Sequence, residues 1–348
     1  MGDDGDRNKS VDLAGISWKD VPQSPIGAAL VRIGCDTFRD TAMTIAHLVT
    51  HSGGFHADEL LSSVVLTGLF PRAELKRSRD PRWLAPAADR IIFDVGGDYD
   101  AARQIFDHHQ RPSPLRDDGQ PLSSFGLIWA HYGRAYLEAL GVPAAGLEEI
   151  HSAFDTRFVL PIDLLDNGAI DPGVAGPLSV LTLPALVESL KPVFDDPSPT
   201  ADDDAFLRAL PIARSFVEAF IANLAAKGRA EGMALDAIAR AGTSPILELP
   251  MGMPYRAALE KAGADHLLFV VMPRGDDWTL NGIKLSDDTF DQRADLPADW
   301  AGLTDAALEA ATGVKGAKFC HNARFIAVAD SREAILKMAE VAVKAVRG

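Results

Sequence analysis

The sequence predicts an α/β fold, with a mostly parallel sheet flanked by helices and a smaller α/β unit towards the C-terminus. Three observations carry that prediction. Short apolar, β-branched runs at residues 44–50 and 90–95 stop close to glycine pairs, Gly53-Gly54 and Gly96-Gly97, as buried strands do. Between them Leu60, Leu61, Val64, Val65 and Leu69 recur at helical spacing until Pro71. Strand-like runs then return at residues 246–249, 266–272 and 278–283, beyond a polar, proline-broken stretch.

Residues 1–40 have no sustained periodicity, and their polar, Gly- and Pro-containing start reads as an N-terminal extension. Structure begins with the strand at 44–50. The helix after it carries Asp58 and Glu59 in its first turn, where acids favour the helix dipole. Strands at 73–79 and 90–95 follow, and strand, helix, strand, strand at these lengths implies parallel members. Helices are expected at 123–140, with Ser123 or Ser124 as cap, and at 147–165. Residues 191–204 read as a linker or exposed loop that separates a first domain, 41–190, from a second, 205–348. The second domain opens with a helical region over 205–240, expected to break at Pro211 and Gly228, and closes with a helix over 331–346.

Composition limits the function. The 348 residues are 47% hydrophobic and 24% charged, enough for a large core, and the formal charge is −15. Such an acidic chain does not adhere to duplex nucleic acid or an anionic membrane through charge alone. Two cysteines, Cys35 and Cys320, are too few for a disulfide framework or a Cys-rich zinc site and fit a reducing compartment. The acidic start Met-Gly-Asp-Asp-Gly-Asp is unlike a signal or transit peptide, and no run approaches the roughly 18 apolar residues of a span. The expectation is a cytoplasmic protein with no membrane partner. Its oligomeric state is left open, with a homodimer as one option.

The polar residues point to metal chemistry. Seven of the nine histidines fall between His47 and His151. His51-Ser52-Gly53-Gly54-Phe55-His56-Ala57-Asp58-Glu59 stands where a buried strand hands over to a helix. Asp94-Val95-Gly96-Gly97-Asp98 ends another strand, and Asp107-His108-His109-Gln110 follows shortly after. In an open α/β sheet the carboxyl edge of the strands is where ligands bind. Imidazoles and carboxylates without thiolate suit manganese, iron or zinc, and several carboxylates together favour a harder ion, Mn²⁺ first and Mg²⁺ as the alternative. The sequence has no HExxH zincin motif, Cys₂His₂ finger or Walker A loop, and no recognisable Ser-His-Asp arrangement.

The order HSGGFHADE, FDVGGDYD, FDHHQ and IDLLDNG, the last at residues 162–168, resembles the Myg-one family of the DHH phosphoesterase superfamily. The resemblance continues through Leu122-Ser123-Ser124-Phe125-Gly126-Leu127-Ile128-Trp129, and through Phe290, Arg293, Leu296-Pro297, Trp300, Gly302-Leu303, His321, Phe325-Ile326 and Arg332-Glu333. It covers about residues 44–345. The resemblance implies a DHH-type catalytic domain with two divalent cations and a C-terminal substrate-binding domain. His51, His56 and Asp94 would hold one ion, and Asp58, Asp94, His108 and Asp166 the other, with Asp94 bridging. His109 would face the substrate phosphate or leaving group, and Asp107 would orient a neighbouring imidazole. Asp163 competes with Asp166, which is preferred because Asn167-Gly168 follows it. His56 stands where most of the superfamily has aspartate.

Two ions about 3.5 to 4 Å apart can acidify water and clamp a phosphoryl group, so the resemblance implies phosphoester hydrolysis. Family members are described as 3′-to-5′ exoribonucleases, which makes RNA or a short oligonucleotide the expected partner. A small-molecule phosphatase or pyrophosphatase is the alternative enzyme, and a non-catalytic metal-binding regulator the alternative from another class. Arg72, Lys76, Arg77, Arg79, Arg82 and Arg90 form a local basic excess, and Arg111 follows the DHH loop. Each is a candidate phosphate partner or a member of a solvated, salt-bridged strand face. His321, Asn322 and Arg324 are expected near the nucleic-acid end. The chain departs from the family pattern at Ala301 and at Ala327-Val328-Ala329, which bears on substrate binding.

Overall fold

The computed structural model describes residues 45–286 and 289–347, so the extension expected over residues 1–40 lies outside the described residues. The chain divides into two compact units, Met1–Ile221 and Ala222–Gly348, each built on one five-stranded sheet.

In the first unit, strands β1 (His47–Thr50), β2 (Glu74–Arg77), β3 (Arg90–Phe93), β4 (Tyr99–Asp100) and β5 (Ile105–Phe106) are ordered β2-β1-β3-β5-β4. All neighbours are parallel except β4, which pairs antiparallel with β5. Leu48, Val49, Ile91, Ile92 and Phe93 are fully buried, which is why these strands read as unbroken apolar runs rather than alternating ones. Helix Ala57–Leu69 connects β1 to β2 and packs on helix Ser124–Ala139. The chain passes from β1 to β2 on one side and returns past β1 to β3 on the other. This reversal opens a crevice at the carboxyl ends of β1 and β3, into which the loops after β1, β3 and β5 all lead.

The expected helix over 147–165 is present as Leu147–Phe154 and Leu160–Asp166, joined by a π turn at Asp155–Val159. The π turn and the second helix carry Asp155 and Asp163, both of which pair with Arg116.

The helix expected to break at Pro211 and Gly228 runs without interruption from Ala201 to Ala241. Pro211 lacks the N–H that would bond the carbonyl of Leu207, but Leu207 is 56% exposed and water can take that bond. At Gly228 no neighbour approaches within 4 Å, and one exposed glycine costs a helix only about 1 kcal/mol. The division between units falls within this helix, and residues 201–204 of the polar segment form its first turn.

In the second unit the order is β6-β7-β8-β10-β9, from β6 (Ile246–Glu248), β7 (Phe269–Arg274), β8 (Asp277–Gly282), β9 (Ala317–Cys320) and β10 (Ile326–Ala329). Only β6 and β7 are parallel. Helix Arg332–Arg347 buries Ile335, Met338 and Ala339 in a core with Leu296, Trp300 and Leu308. Ala327 and Ala329, at the departure from the family pattern, are fully buried in the same core.

Candidate metal centre

Three neighbouring parallel strands each deliver an acid-bearing loop to one edge of the first sheet, and those after β1 and β5 add imidazoles. β1 ends at Thr50, so His51 is the first residue beyond the sheet, and His56 occupies the cap position of helix Ala57–Leu69. Asp58 and Glu59 then lie in the first helical turn, where the free N–H groups favour negative charge. β3 delivers Asp94, and β5 delivers Asp107, His108 and His109. Asp166 comes from the end of helix Leu160–Asp166.

Asp94 is the centre of the arrangement. Its Oδ2 lies 3.2 Å from His51 Nε2 and its Oδ1 lies 3.3 Å from His108 Nε2, so its two oxygens face two different imidazoles. The residue has φ of 54°, a left-handed backbone rare outside glycine and asparagine and often stored at functional sites. Its N–H bonds the Phe106 carbonyl at 3.2 Å, and Ser124 Oγ approaches Oδ1 at 3.3 Å.

Ligand atoms of four overlapping sets each converge within 4.8 Å: Asp94, Asp107, His108 and His109; His51, His56 and Glu59; His56, Asp58 and Asp166; and Asp58, Glu59 and Asp94. Every metal-ligand candidate from the sequence belongs to at least one of these sets. Asp107 is committed elsewhere as well. Its Oδ2 accepts the Gly97 N–H at 2.5 Å, and its Oδ1 accepts the His108 N–H at 2.8 Å and lies 2.7 Å from His109 Nδ1. Asp107 therefore braces the loop and turns the other nitrogen of His109, whose side chain is 62% exposed, towards the open cleft.

The electrostatics suit a cation. Both oxygens of Asp58 are buried without a hydrogen-bond partner. Burial, and then repulsion from Asp94, Asp166 and Glu59, pushes the Asp58 carboxyl well above its ordinary range. Burial likewise raises Asp166, with Asp94 adding to it. Burial alone would depress His51, but its contacts with Asp94 and Glu59 override it and push the imidazole up to about 10. For Asp94 the balance reverses: burial would raise it, yet His108 and His51 hold it down at about 2. Buried carboxylates beside imidazoles, some with no donor of their own, suit a hard divalent cation. The residues present fit the ions that the sequence motifs imply.

Two contributors are missed by reading the sequence alone. Glu59 is fully buried, lies 3.1 Å from His51 Nε2, and accepts the His56 N–H through both oxygens at 2.9 Å. Its position three residues after the His56 cap is the capping-box signal that marks it. Asn167 is the second. Its Nδ2 donates to the Asp163 carbonyl at 2.9 Å, so its Oδ1 faces His108 Nδ1, 3.3 Å away. That contact orients the His108 ring, whose Nε2 lies 3.3 Å from Asp94 Oδ1 and 3.2 Å from Asp166 Oδ2. Asn167→Ala should therefore weaken Mn²⁺ binding about 10- to 100-fold, measured by titration of the folded variant.

Asp163 is not part of the cluster. It is fully buried and its Oδ1 accepts from Ser123 Oγ at 2.7 Å and from the Ser123 and Gly126 N–H groups at 3.1 Å, while Arg116 donates to Oδ2 at 2.6 Å. It caps helix Ser124–Ala139 from a different part of the chain, in place of the Ser123 hydroxyl.

The cluster opens into a cavity of about 1390 Å³. Arg79 and Arg111 line it, alongside His109, Gln110 and an apolar wall that includes Pro112, Leu115, Val180 and Pro184. Of the other basic residues singled out in the sequence, Lys76, Arg77, Arg82 and Arg90 are engaged elsewhere. Lys76 pairs with Glu74 at 2.9 Å, Arg82 with Asp80 at 2.6 Å, and Arg90 donates to the Arg82 and Ala85 carbonyls at 2.8 and 3.1 Å. Arg77 is buried. His321, Asn322 and Arg324 belong to the second unit, at the turn between β9 and β10. There Arg324 pairs with Asp295 at 2.8 Å, and His321 Nδ1 accepts the Ala323 N–H at 3.0 Å.

Comparison with known proteins follows this geometry. The family model MYG1_exonuc, described as "Uncharacterised protein family (UPF0160)", matches residues 47–343. The MYG1 protein C694.04c of Schizosaccharomyces pombe is 33% identical over 322 residues, covering 86% of this chain and 97% of that protein. The MYG1 exonuclease of Rattus norvegicus is 31% identical over 336 residues, covering 86% and 85%, and that of Homo sapiens 31% over 332 residues, covering 86% of each. Among solved structures, RecJ from Thermus thermophilus in complex with Mn²⁺ aligns with a TM-score of 0.25 at 15% identity. That alignment takes in 93% of this chain, which spans about half the length of RecJ, 54%.

Proposed function

We propose that this chain, which belongs to the MYG1 exonuclease family, is a metal-dependent exonuclease that trims single-stranded RNA or short oligonucleotides from the 3′ end. It is a hydrolase of phosphoester bonds. The observation that carries the reading is the largely buried set of carboxylates and imidazoles around Asp94, two of whose acid oxygens, both on Asp58, have no donor among the described residues. His51, His56 and Asp94, joined by Glu59, would hold one ion, and Asp58, Asp94, His108 and Asp166 a second. When bound, such ions supply Lewis acidity, acidifying water and offsetting charge on a phosphoryl group.

The remaining work falls to the protein's own groups. Arg79 and Arg111 pair with phosphates along the cleft, through the planar, charge-assisted bonds that guanidinium favours. His109, oriented by Asp107, presents its free nitrogen to the leaving oxygen and can hand it a proton. The four carboxylates Asp58, Glu59, Asp94 and Asp166 are offset by cations, so the working cleft is less negative than the formal −15. A nucleic-acid end fits the charge balance where a long duplex does not.

The cavity favours a nucleotide over pyrophosphate. At about 1390 Å³ it far exceeds what a small inorganic anion fills, and its wall at Leu115 and Val180 offers apolar surface that only a base or sugar can use. The test incubates purified protein with 5′-labelled RNA, DNA, dinucleotides and pyrophosphate, with and without Mn²⁺. Stepwise shortening of RNA from the 3′ end that needs Mn²⁺ is the expected result. A folded, metal-loaded sample that cuts no nucleic acid overturns the reading. Val180, 68% exposed, can be changed without disturbing the core. Val180→Asn should raise KM for an oligonucleotide about tenfold, about 1.4 kcal/mol of binding, with kcat nearly unchanged. A base-free phosphodiester should be hydrolysed as by the wild type.

A further inference from the structure

We infer that Arg77 is a positioning residue for the metal centre, holding the His51–His56 loop in its ligand-bearing shape rather than contacting substrate. The inference rests on the metal reading above. In the β1–β2 register Arg77 stands opposite Thr50, the residue just before His51. Its side chain is only 4% exposed. One terminal nitrogen of the guanidinium donates to the Gly53 carbonyl, in the middle of the loop, and the other to Asp203 Oδ1 at 2.6 Å. The guanidinium carbon lies 4.6 Å from the centre of the Phe206 ring and 5.8 Å from that of Phe55. Phe55 and Phe206, both fully buried, meet edge to face at 5.3 Å.

The loop needs such a brace. Ser52, Gly53, Gly54 and Phe55 separate the two histidines, and Gly53 has φ of +93° with open space around it, so the backbone alone does not fix the spacing of His51 and His56. Arg77 ties the loop at its midpoint, while Phe55 packs beneath the same guanidinium. A buried charge is a costly brace. Its Nε has no hydrogen-bond partner, and replacing buried ion pairs by apolar side chains of similar volume often leaves a fold equally stable or more so. An arginine retained only for stability is therefore a poor solution at this position. One that sets the distance between two ligands has a role that an apolar side chain cannot fill.

The test uses the full chain and reads Mn²⁺ affinity, by electron paramagnetic resonance of the free ion, beside the melting temperature in EDTA. Arg77→Met should fold, melt in EDTA at or above the wild-type temperature, and bind Mn²⁺ at least tenfold more weakly. Arg77→Lys should recover part of the affinity, because an ammonium can reach the Gly53 carbonyl but cannot span to Asp203. Wild-type affinity in Arg77→Met overturns the inference, as does a loss of affinity matched by collapse of the EDTA melt. If Arg77→Met fails to fold, Asp203→Ala decides. Asp203 is half exposed, and its removal should weaken Mn²⁺ binding about threefold by releasing the guanidinium. No change there overturns the inference. A wild-type protein that binds no Mn²⁺ removes the metal reading itself, a result distinct from equal binding by wild type and variant.

Discussion

Asp94→Asn is expected to reduce metal-dependent hydrolysis about a thousandfold, about 4 kcal/mol of barrier, while leaving the fold intact. The fold survives because asparagine tolerates the left-handed backbone that Asp94 adopts at φ 54°. The bond from its N–H to the Phe106 carbonyl does not involve the side chain. Function does not survive, because the carboxylate presents one oxygen towards His51 and the other towards His108. An amide keeps one acceptor and turns a donor to the other side, where a cation would have to sit. Metal content should fall together with activity, measured by elemental analysis of the same sample. His56→Ala removes a neutral donor and leaves every carboxylate in place, so it should cost less, about 10- to 100-fold. Full activity in Asp94→Asn would contradict a shared ligand at this position.

What the sequence discloses about this site is what is local. His51, His56, Asp94, His108 and Asp166 are found from short motifs at strand and helix ends because β1, β3 and β5 are parallel, which brings their following loops to one edge. The preference for Asp166 over Asp163 comes from the family resemblance, in which Asn167-Gly168 follows the motif aspartate; in the structure Asp163 is bonded to Ser123, Gly126 and Arg116. Residues whose role depends on distant partners were misread or passed over. Glu59 reads as a helix-dipole acid, and Arg77 as either a phosphate partner or a member of a salt-bridged strand face, because nothing near either in sequence reveals that it is buried. Partners 126 residues apart, Arg77 and Asp203, leave no periodic trace. The long helix was obscured differently: Pro211 and Gly228 are real breakers by propensity, and packing along Ala201–Ala241 outweighs them. In the second unit the sequence reading assigns no strand at β9 or β10, so the largely antiparallel sheet is only partly legible.

Asp58→Asn should separate stability from function in opposite directions. Asp58 is buried, its two oxygens lack donors, and Asp94, Asp166 and Glu59 surround it with like charge. Without a cation its carboxyl is held well above the ordinary range, so the native state binds a proton that the unfolded chain has already released. The metal-free wild type therefore loses stability as pH rises from about 4, the unfolded value, towards the elevated native one. Asparagine is neutral throughout and lacks that loss. Metal-free Asp58→Asn should be about 1–2 kcal/mol more stable at neutral pH, a rise of a few degrees in melting temperature, the gain limited by the amide's own unpaired atoms. Mn²⁺ reverses the ranking. By binding the native wild type it should raise that melting point by mass action, whereas the variant lacks a charged candidate ligand and should respond weakly, with activity at least a hundredfold down. Melting both proteins in EDTA and in Mn²⁺, at pH 5 and pH 8, tests each step. The EDTA gap in favour of the variant should widen at pH 8, and a variant less stable than wild type in EDTA at both pH values would contradict an uncompensated buried acid. A cation is then what Asp58 is placed to receive: the metal-free fold is weakened at the position where the loaded protein has a use for the charge.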